Sequence, residues 1–285
     1  MPAASARLDG DDGLPCNPTG TAALLGWGCI VIPPAIAFKG VRFTYPDGTR
    51  ALNGLTLTVK SRDRIAVLGP NGAGKSTLLH AVLGFIATAE GAVEVDGLQV
   101  VPANLTEIRQ RVGIVFQDPD DQLFCPTLLD DVRFGPRNQG LSGTELYERV
   151  HHAVEAVGLW DRRDRHPHRL SVGEKKRGAL ATVLSMRPDI LLLDEPSAHL
   201  DGPSRRSLRD ILSVYEGTLL LVSQDLPFAA ALCTRAVVLE SGRVTLDIPM
   251  DEMLNDPVRV EQLGIPAMEL CALCAEHGWR TPHAP

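Results

Sequence analysis

The 285-residue sequence has no uninterrupted apolar run of 18 or more residues, so it offers no segment that crosses a bilayer by itself as a helix. It has no excess of basic residues. With 28 lysines and arginines against 35 aspartates and glutamates, its formal charge is −7. That argues against a broad cationic field for nucleic acid, though not against a local phosphate site. No secretory signal is expected either, because Asp9, Asp11 and Asp12 stand where such a signal needs cations. The six cysteines (Cys16, Cys29, Cys125, Cys233, Cys271 and Cys274) are scattered and read as reduced intracellular thiols rather than a disulfide framework. What is present is a globular composition, 44% apolar and 22% charged, long enough for one large α/β domain plus an appendage.

One stretch organises the rest: Gly69-Pro70-Asn71-Gly72-Ala73-Gly74-Lys75-Ser76-Thr77, which fits the phosphate-binding pattern G-x-x-x-x-G-K-[ST]. Ordinary residue frequencies give about 0.02 chance matches in a chain this long. The context also fits. Arg64 to Leu68 before it reads as a short buried strand, and Lys75 to Leu83 after it as a helix stopped by Gly84. Glycines let the backbone curl so that N–H groups point inward, and the new helix adds its positive dipole end. Lys75 can reach the β- and γ-phosphates of a nucleotide, and the Ser76 hydroxyl can ligate Mg²⁺.

Upstream, residues 1–35 differ in composition and read as an N-terminal extension, expected to be disordered; the apolar stretch Ala22 to Phe38 is broken by Pro33-Pro34. Val41, Phe43 and Tyr45 alternate before the turn Pro46-Asp47-Gly48, and Leu55, Leu57 and Val59 alternate after it. With Val93 and Val95 before Asp96-Gly97, these predict an antiparallel layer in front of the phosphate loop. Tyr45 is either a stacking platform for an adenine ring or an ordinary sheet aromatic. Val112 to Phe116 predicts a buried strand that ends at Gln117. Gln117 there either ligates Mg²⁺ and orients water or caps the strand.

From 120 to 188 the pattern turns helical, with Leu128 to Phe134 and Thr144 to Val157 as helices. His166 and His168 flank Pro167 and read as solvated loop residues. Ser171 and Glu174 form a capping-box pattern that opens a helix running to Met186. That pattern gives no reason for Gly173, which would suit close approach of a phosphate to the backbone. Ile190 to Leu193 is a buried strand running into Asp194-Glu195-Pro196. Carboxylates at the C-terminal end of a central strand lie at the usual ligand crevice of an α/β sheet. Asp194 can hold Mg²⁺ through water, and Glu195 can act as general base toward an attacking water.

These residues resemble the ATPase subunit of ABC transporters over roughly residues 36–275. The ordered signatures are Tyr45, the Walker A loop, Gln117, the signature loop Ser171 to Glu174, Walker B with Asp194-Glu195, and the loop ending at Asp201. Gln117 to Phe124, Thr127 to Asn138 and Leu226 to Leu232 are more narrowly similar to the energy-coupling-factor group, and within it to the cobalt and nickel uptake ATPases. The resemblance implies an α/β P-loop NTPase fold: a mixed sheet core, an antiparallel β layer, a helical subdomain and a short C-terminal helical tail. It implies an ATPase domain over 36–248, with the helical subdomain at about 120–188, and a tail over 249–285. It implies ATP and Mg²⁺ as ligands, a second ATPase subunit bound head to tail, transmembrane partner subunits, no nucleic acid, and a peripheral seat on the cytoplasmic face of the plasma membrane. Ser171 and Gly173 of one subunit would contact the γ-phosphate held at Lys75 of the other, with Asp201 nearby.

Two positions depart from the family pattern. Val172 replaces the first glycine of the signature loop, and Gln224 replaces the switch histidine that contacts the γ-phosphate. Glutamine donates a neutral hydrogen bond but neither carries charge nor moves a proton. The expectation is an importer motor for cobalt or nickel; the runner-up is a low-turnover regulatory subunit paired with an active ATPase. A soluble ABC protein acting on ribosomes or DNA is disfavoured, because neither paired cassettes nor a long coiled-coil insertion is seen. In the tail, Cys271, Cys274 and His277 fall near one helical face, where a packing or regulatory helix pair is favoured over a metal site.

Overall fold

Alternation over the first hairpin gives β1 (Ile36–Thr44) and β2 (Arg50–Val59). In β2, Leu55, Leu57 and Val59 are buried while Thr56 and Thr58 face outward. The phosphate-loop strand is β3 (Arg64–Leu68), followed by α1 (Lys75–Val82). Next come β4 (Glu90–Val95), β5 (Leu98–Gln99), α2 (Leu105–Arg111) and β6 (Val112–Val115). The helical stretch supplies α3 (Leu128–Asn138), α4 (Gly143–Ala156) and α5 (Val172–Leu184). The chain continues through β7 (Ile190–Asp194), α6 (Gly202–Ser213), β8 (Thr218–Val222) and α7 (Leu226–Leu232). It ends through β9 (Arg235–Glu240), β10 (Arg243–Pro249), α8 (Met250–Leu254) and α9 (Pro257–Gln262).

This computed structural model describes residues 33–262, so Cys16, Cys29, Cys271, Cys274 and His277 lie outside the described residues. Ala35, assigned to the extension from sequence, is buried, and its carbonyl accepts the Asp96 N–H at 3.1 Å. Among the described residues, no helix is long and apolar enough to cross a membrane, and no cluster of histidine, cysteine and acidic side chains could hold a metal ion.

The strands form two sheets. The antiparallel layer has the order β2-β1-β4-β5, and the larger sheet β10-β9-β3-β8-β7-β6. In the larger sheet, β9, β3, β8, β7 and β6 run parallel, with β10 antiparallel at one edge. Its apolar runs are continuous because both faces are covered. Side chains alternate between two cores. Ala66, Leu68, Leu191, Leu193, Leu219 and Leu221 pack with the helical stretch. Ile65, Val67, Ile190, Leu192, Leu220 and Val222 pack with α1 and the antiparallel layer. Each such aliphatic side chain contributes about 1.5–3 kcal/mol by leaving water. At the opposite end from the strand C-termini, Arg64 donates to the carbonyls of Leu232, Tyr215 and Leu212 at 2.6, 2.6 and 2.9 Å, fastening the C-terminal ends of α6 and α7 to β3.

Candidate active site

Parallel strands place every C-terminal end on one edge of the sheet, and four of them deliver the residues singled out from sequence. The phosphate loop leaves β3. Gln117 follows β6, Asp194 ends β7 with Glu195 directly after it, and Gln224 follows β8. A cleft of about 1140 Å³ opens there, lined by Tyr45, Asn71, Gly72, Gly74, Lys75, Ser76, Thr77, Gln117, Glu195 and Gln224 among others.

The loop is shaped for this place. Gly74 caps α1 at φ +99°, and a Cβ there would lie 2.2 Å from the Ala51 carbonyl oxygen. Lys75 is buried and donates to the carbonyls of Gly69 and Pro70 at 2.8 and 3.0 Å, folding its ammonium back over the loop. Burial pushes its pKa down, while Glu195 and Asp194 pull it back. Gly69, Pro70 and Ala73 build the loop without lining the cleft. Tyr45 shares a 3.1 Å hydrogen bond with the Thr77 hydroxyl and meets Phe43 edge-on at 4.8 Å, so one wall is an anchored aromatic.

Asp194 and Glu195 differ in setting although they are neighbours. Asp194 is buried; burial raises its pKa, countered first by the Ser76 hydroxyl and then by nearby cations including Lys75 and Lys176. Glu195 adopts a left-handed φ of +44°, unusual for a non-glycine residue. Burial raises its pKa too, countered first by the Gln224 N–H, which donates to Oε2 at 3.1 Å, and then by Lys75. Asp194 Oδ1, Glu195 Oε1 and Ser197 Oγ are buried with no hydrogen-bond partner among the described residues. Such oxygens suit groups arriving from outside. The Gln224 side chain donates to Asn71 Oδ1, so the substituted position contacts the phosphate loop directly.

Ser171, Gly173 and Asp201 do not line the cleft. Ser171 and Glu174 complete the expected capping box, with Ser171 N–H donating to Glu174 Oε2 at 2.8 Å and Glu174 N–H to Ser171 Oγ at 3.2 Å. Sequence left Gly173 without a structural reason, and the fold corrects that. A Cβ on Gly173 would stand 2.4 Å from Ser204 Oγ and 2.9 Å from Ser204 Cβ on α6. Val172, beside it, is 50% exposed. His166 and His168 are exposed and stack at 5.0 Å in a short 3-10 turn, as expected of solvated residues.

Several cleft residues went unnoticed in the sequence. Arg205, Arg206 and Arg209 of α6 line it, with Arg205 paired to Asp225, and so does His199 at φ +63°. The spacing of the three arginines on one helix was the available signal. Lys176, which does not line the cleft but donates to the Glu195 carbonyl, gave no such signal, because it sits inside the charged run Lys175-Lys176-Arg177.

Comparison with known proteins agrees with this geometry. The family model described as ABC transporter matches residues 52–198. The chain belongs to the ABC transporter ATP-binding family. An ABC transporter ATP-binding relative from Streptomyces coelicolor is 48% identical over 82% of the chain and 91% of its own length. The energy-coupling factor transporter ATP-binding protein EcfA of Carboxydothermus hydrogenoformans is 43% identical over 84% and 89%. Among solved structures, CbiO1 of Clostridium perfringens, part of the ABC transporter complex CbiONQ, is similar at a TM-score of 0.72 and 32% identity over 84% of this chain and 99% of that one. The dimeric cassette MJ0796 in a post-hydrolysis state with ADP and Pi gives 0.69 and 27% over 75% and 98%. The chain is thus the ATP-binding, ATP-hydrolysing subunit of an ABC transporter.

Proposed function

We propose that this subunit energises an energy-coupling-factor importer from the cytoplasmic face of the plasma membrane, with cobalt or nickel ions as its cargo class. One observation carries the hydrolytic half of the reading. Glu195 lines the cleft with one buried carboxylate oxygen unpaired, opposite the loop that folds Lys75 inward. The phosphate loop (Gly69, Pro70, Asn71, Gly72, Ala73, Gly74, Ser76 and Thr77) cradles the phosphates through backbone N–H groups. Lys75 meets the β- and γ-phosphates, and Tyr45 stacks on the base. Glu195 accepts a proton from water as the water oxygen bonds to the γ-phosphorus and the bond to ADP breaks. Gln117 and Gln224 orient that water.

The donor set fits Mg²⁺, because the unpaired Asp194 Oδ1 is a hard oxygen ligand and the Ser76 hydroxyl interacts with the same carboxyl group, with Gln117 lining the adjoining cleft. Bound Mg²⁺ supplies neutralisation of phosphate charge. Ser171, Gly173 and Asp201 act from a second chain bound head to tail, closing the site on ATP.

Kinship with EcfA and CbiO1 supports the importer class, and the stretches Gln117 to Phe124 and Thr127 to Asn138 support the cargo. Uptake of radiolabelled cobalt or nickel by cells expressing the chain with its membrane partner tests this. We expect accumulation that disappears with Glu195→Gln. Active ATP hydrolysis without uptake of either ion would overturn the cargo assignment.

A further inference from the structure

We infer that Lys176 is a positioning residue that ties helix α5 to the turn carrying Glu195. The inference rests on the reading of Glu195 as general base. The run Lys175-Lys176-Arg177 looks like a solvated charged face, but the fold sends its three members to three places. Lys175 pairs with Asp120 at 2.7 Å in the segment after Gln117. The Arg177 Nε–H donates to the Val157 carbonyl at 3.2 Å. Lys176 is only 4% exposed, and its ammonium donates to the Glu195 carbonyl oxygen at 3.0 Å.

Burying an ammonium is costly, so a lysine stays in such a place only where the partners repay it. Here the partner is the backbone of a residue in a strained conformation. A left-handed φ of +44° on glutamate persists only when its surroundings over-determine it. Glu195 is held on one side by its own N–H, which donates to the Val222 carbonyl at 2.9 Å, and on the other by its carbonyl, which accepts from the Lys176 ammonium at 3.0 Å and from the Ala198 N–H of the same turn at 3.2 Å. The Gln224 N–H then fixes one oxygen of the carboxylate. Without Lys176 the Glu195 carbonyl keeps only the Ala198 N–H of its own turn and loses its tie to α5, so the reactive oxygen is held less firmly relative to the phosphate loop. Because α5 also begins at the signature loop, Lys176 makes the placement of Glu195 depend on where that helix sits.

The test uses the full chain as wild type, Lys176→Met and Lys176→Arg, with ATP kinetics, nucleotide affinity and amide hydrogen exchange at Glu195. Lys176→Met is expected to lower kcat at least tenfold, leave KM and Kd for ATP within twofold, and speed exchange of the Glu195 amide. Lys176→Arg, which keeps a cationic donor, is expected to recover kcat to within threefold. A Lys176→Met enzyme with wild-type kcat and exchange would overturn the inference, as would a loss of kcat matched by loss of ATP affinity. If Lys176→Met does not fold, Lys176→Leu, which likewise lacks a donor, carries the same comparison. Glu195→Gln run alongside separates the two claims: wild-type turnover in that variant sinks the base assignment, whereas an inactive Glu195→Gln beside a fully active Lys176→Met sinks only the tie.

Discussion

A neutral amide stands at position 224 where the family pattern has a histidine. Its side chain donates to Asn71 in the phosphate loop, and its backbone N–H to Glu195. The backbone contact needs only an N–H, which His at 224 keeps, so Glu195 keeps its orientation; what is missing, on the proposed reading, is a side chain that can carry charge beside the γ-phosphate. Gln224→His is therefore expected to raise kcat several-fold, read as steady-state phosphate release. Turnover equal to or below wild type would contradict the idea that this position slows the enzyme. At this scale, residues were legible where chemistry and motif coincide: Lys75, Asp194 and Glu195 declare themselves by type and spacing. Lys176, Ser204 and Arg205 did not, because their partners are 19, 31 and 20 residues away and no local pattern encodes such pairs.

Helix α5 illustrates what an element does beyond its own length. The Ser171–Glu174 capping box fixes its start, worth about 1 kcal/mol. It ends after Leu184, where Arg187 takes a φ of +51° just before Pro188. Gln122 stitches it to the segment after Gln117, donating to the Ala179 carbonyl at 2.9 Å and the Thr182 hydroxyl at 2.8 Å. At its first turn, Gly173 receives Ser204, whose N–H donates to Asp201 at 2.8 Å. Gly173→Ala should therefore destabilise by about 1–3 kcal/mol through overpacking alone. Thermal melting is expected to show this loss, and Ser204→Gly in the same chain to restore most of it. Failure of the double variant to recover stability would contradict the packing role. Strands and helices were legible as elements, since continuous apolar runs and caps are local signals. Packing of α6 onto the first turn of α5 is a tertiary fact, so the reason for a glycine there could not be read from the signature loop by itself.

At the scale of the molecule, the two cores hold one sheet edge rigid, and everything the chemistry needs from one chain is on that edge. Ser171, Gly173 and Asp201 are the exceptions, lying outside the cleft their family role concerns. On the proposed head-to-tail assembly, a second chain would bring those residues to the nucleotide, so turnover is expected to belong to the dimer. The most direct measurement is ATP turnover per chain as the protein is diluted, for wild type and Glu195→Gln. The account predicts wild-type turnover per chain that falls on dilution and recovers on reconcentration, with at least a ~100-fold loss in Glu195→Gln throughout. Turnover per chain that stays constant to the lowest concentration, or that survives Glu195→Gln, would contradict it.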